Sequence, residues 1–164
     1  MSDPVASAEQ PRALAALDTL GLPYRAVTYG HVASVAEAAA ARGIEVRDVV
    51  KTLVVRRADD DYVFVLVPGD RSISWPKLRA LLGVSRLSMP DADTAFAATG
   101  YRRGTITPFG STTAWPVIAD DVIVGRQISL GAGAHGTAVI LAADDAIAAL
   151  GAVVADVTDP EGAS

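Results

Sequence analysis

The chain has 164 residues, half of them hydrophobic, which suffices for one domain with its own core and excludes a disordered chain. It has no cysteine, which excludes disulfides, thiolate metal sites and a cysteine nucleophile and suits a reducing cytoplasm. The net charge of −5 argues against a general nucleic-acid coat, and no apolar run reaches the ~18–20 residues needed to span a bilayer.

No signal peptide opens the chain. Its first ten residues, MSDPVASAEQ, are small and polar and are expected as a disordered tail, with a second tail over 159–164 and one domain over 11–158. Residues 8–20 read as a helix ended by Gly21, with Leu14, Leu17 and Leu20 at helical spacing. Residues 24–29 alternate like a strand. Ser34 and Glu37 form a capping box that opens an Ala-rich helix stopped by Gly43. Residues 49–57 and 62–67 are β-branched runs around an acidic turn, a hairpin apolar enough to be buried on both faces, and Pro68-Gly69-Asp70 breaks it. Ser74 caps a helix over 75–82 with Pro76 in its first turn. A short strand over 86–89 follows, then a helix capped by Asp91 or Asp93 that runs to about Thr99. Residues 115–119, 122–130 and 137–141 read as extended, 144–150 as a helix and 152–157 as a last extended piece. Strands and helices are interspersed without a βαβ rhythm. The expected fold is α+β, a single domain with a mixed, mostly antiparallel barrel-like sheet surrounded by helices.

Charge is unevenly placed. Residues 47–103 hold ten basic and seven acidic side chains, while the rest of the chain holds four basic and twelve acidic. This pattern fits a local basic face on an acidic protein, and equally fits scattered, solvated arginines.

Three motifs carry chemistry. The stretch GYRRGTITPFG, residues 100–110, combines three glycines with Pro108, and such a loop can aim backbone N–H groups at an anion or a carbonyl oxygen. It also reads as a tight β-connection that needs its glycines for shape. Lys51 interrupts the apolar run VVKTLVV. It marks either an edge strand or a cation lining a pocket, because its ammonium must reach water, an anion or a cleft. Residues 131–136, GAGAHG, match G-x-G-x-x-G, but a strand-like TAVIL follows where a dinucleotide site needs a helix, so a glycine-rich β-turn is expected. His31 and His135 are the only histidines and lie far apart without carboxylate spacing, so no metal site is expected. No G-x-S-x-G elbow, P-loop or H-E-x-x-H occurs.

In order, His31, the capped helix, VVKTLVV, YVFVLVPGDRSISWPKLRALLG, GYRRGTITPFG and ISLGAGAHG resemble the YbaK and prolyl-tRNA-synthetase-associated editing-domain family, over roughly residues 14–157. The resemblance implies an aminoacyl-tRNA deacylase that needs no cofactor. It would hydrolyse the ester between a wrong amino acid, alanine or cysteine, and the 3′ end of a proline tRNA. It implies a mischarged tRNA acceptor end as partner, with a prolyl-tRNA synthetase as a further one, and a cytoplasmic setting away from membranes. Carried over by motif, Lys51 and Gly104 are the implied catalytic positions. Gly100, Thr105, Ile106, Thr107, Pro108, Gly110 and His31 are the implied substrate-binding ones. Arg102 and Arg103, beside the loop, are placed to meet the acceptor stem or to be solvated. Cysteine-specific members carry Ser-Pro in the loop where this chain has Thr107-Pro108, which leaves the amino acid open. A non-catalytic module of the same fold, recognising a tRNA end, a nucleotide or a synthetase, is the alternative of a different class, and an unrelated small-molecule-binding domain is the third.

Overall fold

The run DYVFVLVP, the longest apolar strand of the chain, lies at the centre of the molecule as β3 (Asp61–Pro68), with residues 62–68 buried. A strand buried on both faces carries a continuous apolar run instead of an alternating one. Its side chains still alternate in direction. Tyr62, Phe64 and Leu66 enter one core, and Val63, Val65 and Val67 enter another on the opposite face. The computed structural model describes residues 11–30 and 32–161. The expectations for the tail over 1–10, for His31 and for the last three residues lie outside the described residues.

β2 (Val50–Ala58) pairs antiparallel with β3 through a hairpin whose turn holds Asp60 at φ 55. β5 (Val117–Asp120) and then β8 (Val153–Ala155) add in parallel on the other side, giving the order β2-β3-β5-β8. A second sheet, β1-β7-β6, is antiparallel throughout and contains β1 (Arg25–Thr28), β7 (Thr137–Ala142) and β6 (Gln127–Gly131). The two sheets meet at a parallel bridge between Val49 and Ser129. The mixed, mostly antiparallel α+β fold expected from the sequence is the one observed, although the strands stay in separate sheets and do not close into a barrel.

The helices are α1 (Arg12–Leu20), α2 (Val35–Arg42), α3 (Trp75–Leu82), α4 (Ala92–Thr99) and α5 (Ala143–Leu150). Their starts follow from local chemistry. The Ser34, Ser74 and Asp91 side chains each accept from the backbone N–H three residues on, and the Glu37 carboxylate reaches back to the Ala33 N–H. Leu14 and Leu17 of α1 pack into the core on the Phe64 side of β3, and Leu78 of α3 into the core on the Val65 side.

Three local expectations change. The strand over 86–89 reduces to a bridge between Ser88 and Arg56. The extended stretch over 122–130 is broken by a 3₁₀ turn at Asp121–Ile123 before β6 begins. Residues 159 and 160, placed in the C-terminal tail, belong to β9 (Thr158–Pro160), which pairs with β4 (Arg71–Ile73). The Lys77 ammonium, held by Asp156, Asp159 and the Thr158 carbonyl, fastens that end, and these three hydrogen bonds span about eighty residues of sequence.

Candidate active site

β2 enters the second half of the site before it reaches the hairpin turn. Residues 49–54 form one wall of a cavity of about 280 Å³. The segment leading into α4, with Met89, Pro90, Ala92 and Ala95, forms another. Arg103, Gly104 and Ile106 of the loop close it, and Gly131 and Arg42 complete the lining. Lys51 is half-buried on β2, in register with Val67, and no carboxylate lies within ion-pair reach of it among the described residues. Among the described residues no Asp or Glu lines this cavity, while Lys51, Arg42 and Arg103 all do. Three cations around one partly dehydrated cavity repel one another, and an anionic ligand relieves that cost.

Arg42 comes from the last turn of α2, where its charge complements the helix dipole. Its guanidinium donates to the buried Ser129 Oγ at 2.8 Å and to the Tyr29 hydroxyl at 3.0 Å, and lies 5.2 Å from the centre of the Tyr29 ring. Its Nε is buried without a partner among the described residues, as is the Thr52 hydroxyl next to Lys51.

The loop over 100–110 is fixed from inside. The Thr105 N–H and hydroxyl both donate to the Arg102 carbonyl, and the Thr105 carbonyl accepts from the Gly133 N–H at 3.0 Å. Gly104 sits at φ +89, where its carbonyl and N–H directions suit a residue without Cβ, and the space around it is open as far as His135 Cε1, 3.8 Å from an added Cβ. The Gly104 and Ile106 N–H groups have no acceptor among the described residues. The glycine turn 131–136, between β6 and β7, packs its backbone against this loop: a Cβ on Gly131 would stand 3.1 Å from the Thr105 and Ile106 carbonyl oxygens. This turn is followed by a strand, as its sequence suggested.

The structure thus gathers Lys51, Arg103, Gly104 and Ile106 at one cavity. Thr105, Thr107 and Pro108 are buried beneath the loop and shape it from below. Gly100 and Gly110 stand at its neck against Arg12, outside the cavity lining. Arg102 lies 4.5 Å over the Phe96 ring. Arg42, Thr52 and the exposed His135 were not singled out from sequence as members of the site. Each has an ordinary local explanation, respectively a helix-end cation, a strand threonine and a turn histidine, so only the fold reveals them.

A second groove, of about 580 Å³, lies where the hairpin end of β2 meets residues 85–88. Arg56, Arg57, Arg79 and Arg86 line it with Ser85 and Ser88, against one acid, Asp59. Arg56 pairs with Asp59 and Arg57 with Asp61, whereas Arg79 and Arg86 have no side-chain partner among the described residues. Among the described residues, Asp120, Asp121 and Asp156 alone group as possible cation ligands. Buried Asp120 already accepts from the Val122 and Val157 N–H groups.

The candidate site is thus a cleft of an α+β domain, lined by three cations and closed by the glycine–proline loop. Residues 30–149 match the model of the aminoacyl-tRNA editing domain, and the chain belongs to that family. It is 34% identical over 90 residues to the proline–tRNA ligase of Thermosipho melanesiensis, covering 55% of this chain and 16% of the ligase. It is 39% identical over 67 residues to that of Caldicellulosiruptor saccharolyticus, covering 41% of this chain and 12% of the ligase. The matched part is therefore a small fraction of those much longer enzymes. Among solved structures, a proposed trans-editing enzyme for prolyl tRNA synthetase superposes with TM-score 0.82 at 26% identity, covering 97% of this chain and 99% of that one. The hypothetical protein APE2540 superposes with TM-score 0.83 at 26% identity, covering 90% and 99%. Among the described residues no helix is long and apolar enough to cross a membrane.

Proposed function

We propose that the protein deacylates mischarged tRNA, with alanine or cysteine on proline tRNA as its first candidate substrates. One observation carries this reading: three cations, with no carboxylate among the described lining residues, share a cavity with Gly104 and Ile106, whose N–H groups have no acceptor among the described residues. A tRNA 3′ end brings a phosphate for the cations and an ester carbonyl for the donors. Water adds to the carbonyl carbon, and the Gly104 and Ile106 N–H groups receive the oxyanion, each such donor being worth ~10²–10³ in rate. The carbon–oxygen bond to the ribose then breaks, the 3′ oxygen takes up a proton, and the free amino acid leaves. The ester is already activated, so positioning and oxyanion stabilisation suffice, and the substrate's own hydroxyl or amine carries the proton. Lys51 holds the terminal phosphate or ribose. The groove lined by Arg56, Arg57, Arg79 and Arg86 offers further cations to the phosphates of the acceptor strand.

A second reading, a binding module of the same fold, draws on the lack, among the described lining residues, of a carboxylate or histidine that would act as general base. The deciding experiment is hydrolysis of proline tRNAs carrying alanine, cysteine or serine, by wild type and Lys51→Ala. The expected result is release by wild type and loss of release in the variant, with an unchanged fold because a pocket cation has little packing to lose. If no charged tRNA is hydrolysed but tRNA still binds, the binding module replaces the enzyme. The acidic total charge suits a cytoplasmic partnership in which a prolyl-tRNA synthetase presents the tRNA.

A further inference from the structure

We propose that Arg12, at the start of α1, is a positioning residue that locks the substrate loop from outside the matched domain. Its guanidinium joins both ends of the loop: Nε donates to the Gly110 carbonyl at 3.0 Å and Nη2 to the Thr99 carbonyl at 3.2 Å. The same group lies 4.7 Å above the Tyr101 ring. Tyr101, almost fully buried, spans the loop and donates its hydroxyl to the Phe109 carbonyl at 2.6 Å. Thr99 completes the neck: its hydroxyl donates to the Ala95 carbonyl and accepts from the Tyr101 N–H, and its carbonyl accepts from the Thr112 N–H.

The glycines that frame the loop are explained by this clamp. A Cβ on Gly100 would stand 2.5 Å from Arg12 Nη2. A Cβ on Gly110 would stand 2.6 Å from the Tyr101 hydroxyl and 2.8 Å from the Arg12 carbonyl oxygen. A Cβ on Gly133 would stand 2.5 Å from Tyr101 Cε1, so the ring is held between the Arg12 guanidinium and the second glycine turn. That turn in turn holds Thr105 through the Gly133 N–H, and Thr105 lies between the two residues whose N–H groups face no acceptor. A continuous set of contacts therefore runs from Arg12 through Tyr101 and Gly133 to Gly104 and Ile106. Arg12 is itself exposed, so hydrophobic burial does not account for its placement. It belongs to α1, which precedes the family match at residue 30.

Catalysis by backbone donors depends on their placement, and a misplacement of ~1 Å costs about a hundredfold in rate. The kinetic consequence rests on the deacylase reading, while the structural one does not. Arg12→Met and Arg12→Lys are compared with wild type by steady-state deacylation, by amide hydrogen exchange and by thermal melting. Arg12→Met is expected to lower kcat roughly ten- to a hundredfold with KM for the charged tRNA nearly unchanged. Exchange of the hydrogen-bonded Thr105 and Gly133 amides is expected to quicken about tenfold or more while β3 stays protected. Arg12→Lys, which restores a charge and a donor but not the two-carbonyl fork, recovers only part of both. Tyr101→Phe keeps the ring and loses the hydroxyl bond, so it loosens the same amides to a smaller degree. Unchanged exchange of the Thr105 and Gly133 amides in Arg12→Met overturns the clamp. So does exchange that quickens equally in β3, which is general destabilisation. If wild type hydrolyses no charged tRNA, the deacylase reading fails and the exchange comparison alone decides the clamp.

Discussion

The Thr52 hydroxyl is buried beside Lys51 and finds no partner among the described residues, an arrangement that costs stability unless a ligand or water satisfies it. Thr52→Val removes the unsatisfied group at similar volume, so chemical denaturation is expected to show equal or greater stability, by up to ~1 kcal/mol. A loss of more than ~1 kcal/mol would mean that the hydroxyl is already satisfied. Two glycines of the site separate backbone demand from space. Gly104 has φ +89 with open space around it, and Gly133 has φ +83 with the Tyr101 ring in the way. Gly104→Ala is expected to cost ~1–2 kcal/mol for the left-handed backbone alone. Gly133→Ala adds a steric overlap with a buried ring, a further ~1–3 kcal/mol. Equal losses in urea unfolding for the two variants would contradict that geometry.

α4 delivers the chain to the substrate loop, and its start depends on a single carboxylate. The Thr94 N–H donates to Asp91 at 2.8 Å, and that bond holds the Asp91 carboxyl below its ordinary range. A depressed folded pKa means stabilisation that is present above the unfolded value of ~3.9 and is lost as pH falls through the folded value. Wild type is therefore expected to melt above Asp91→Ala at neutral pH, with the gap narrowing on acidification below pH ~4. A gap that holds constant down to pH ~3 would show that the charge plays no part in the cap. This helix start, like those at Ser34 and Ser74, was legible in the sequence because capping is settled within four residues. The hairpin of β2 and β3 was legible for the same reason. β4 and β9 were not, since each has three residues and is held by Arg71 and Lys77 across some eighty positions. In the site, Lys51 and the loop glycines were legible because they break the pattern around them. Arg42, Thr52 and Arg12 conform to their local pattern, and only the packing of α2, β2 and α1 against distant loops gives them a role.

The charge imbalance of the sequence becomes a surface in the fold, because the basic stretch 47–103 supplies all four groove arginines, as well as Lys51 and Arg103 of the cavity. From Lys51 to Arg56 along β2 is about 17 Å at ~3.3 Å per residue, which in the proposed function is a span of a few nucleotides. The four arginines differ in what they have left to offer. Arg57 spends its fork on Asp61, with hydrogen bonds of 3.2 and 3.0 Å, and Arg56 is paired with Asp59. Arg79 and Arg86 have no side-chain partner among the described residues and are available to phosphates. Salt dependence measures that difference, since each phosphate contact releases a counterion and contributes ~0.7–0.9 to the slope of log affinity against log salt. Arg79→Ala and Arg86→Ala are each expected to weaken tRNA binding similarly for any acceptor sequence and to lower the slope by about one. Arg57→Ala is expected to change it less, because that guanidinium is already engaged by Asp61 within the protein. Titration of uncharged proline tRNA at several salt concentrations separates these cases without requiring turnover. If Arg57→Ala lowers the slope as much as Arg79→Ala, the Asp61 pair opens on binding and the groove is reshaped by its ligand. If none of the three changes it, the acceptor strand leaves the cavity by another route, past Arg102 and Arg103.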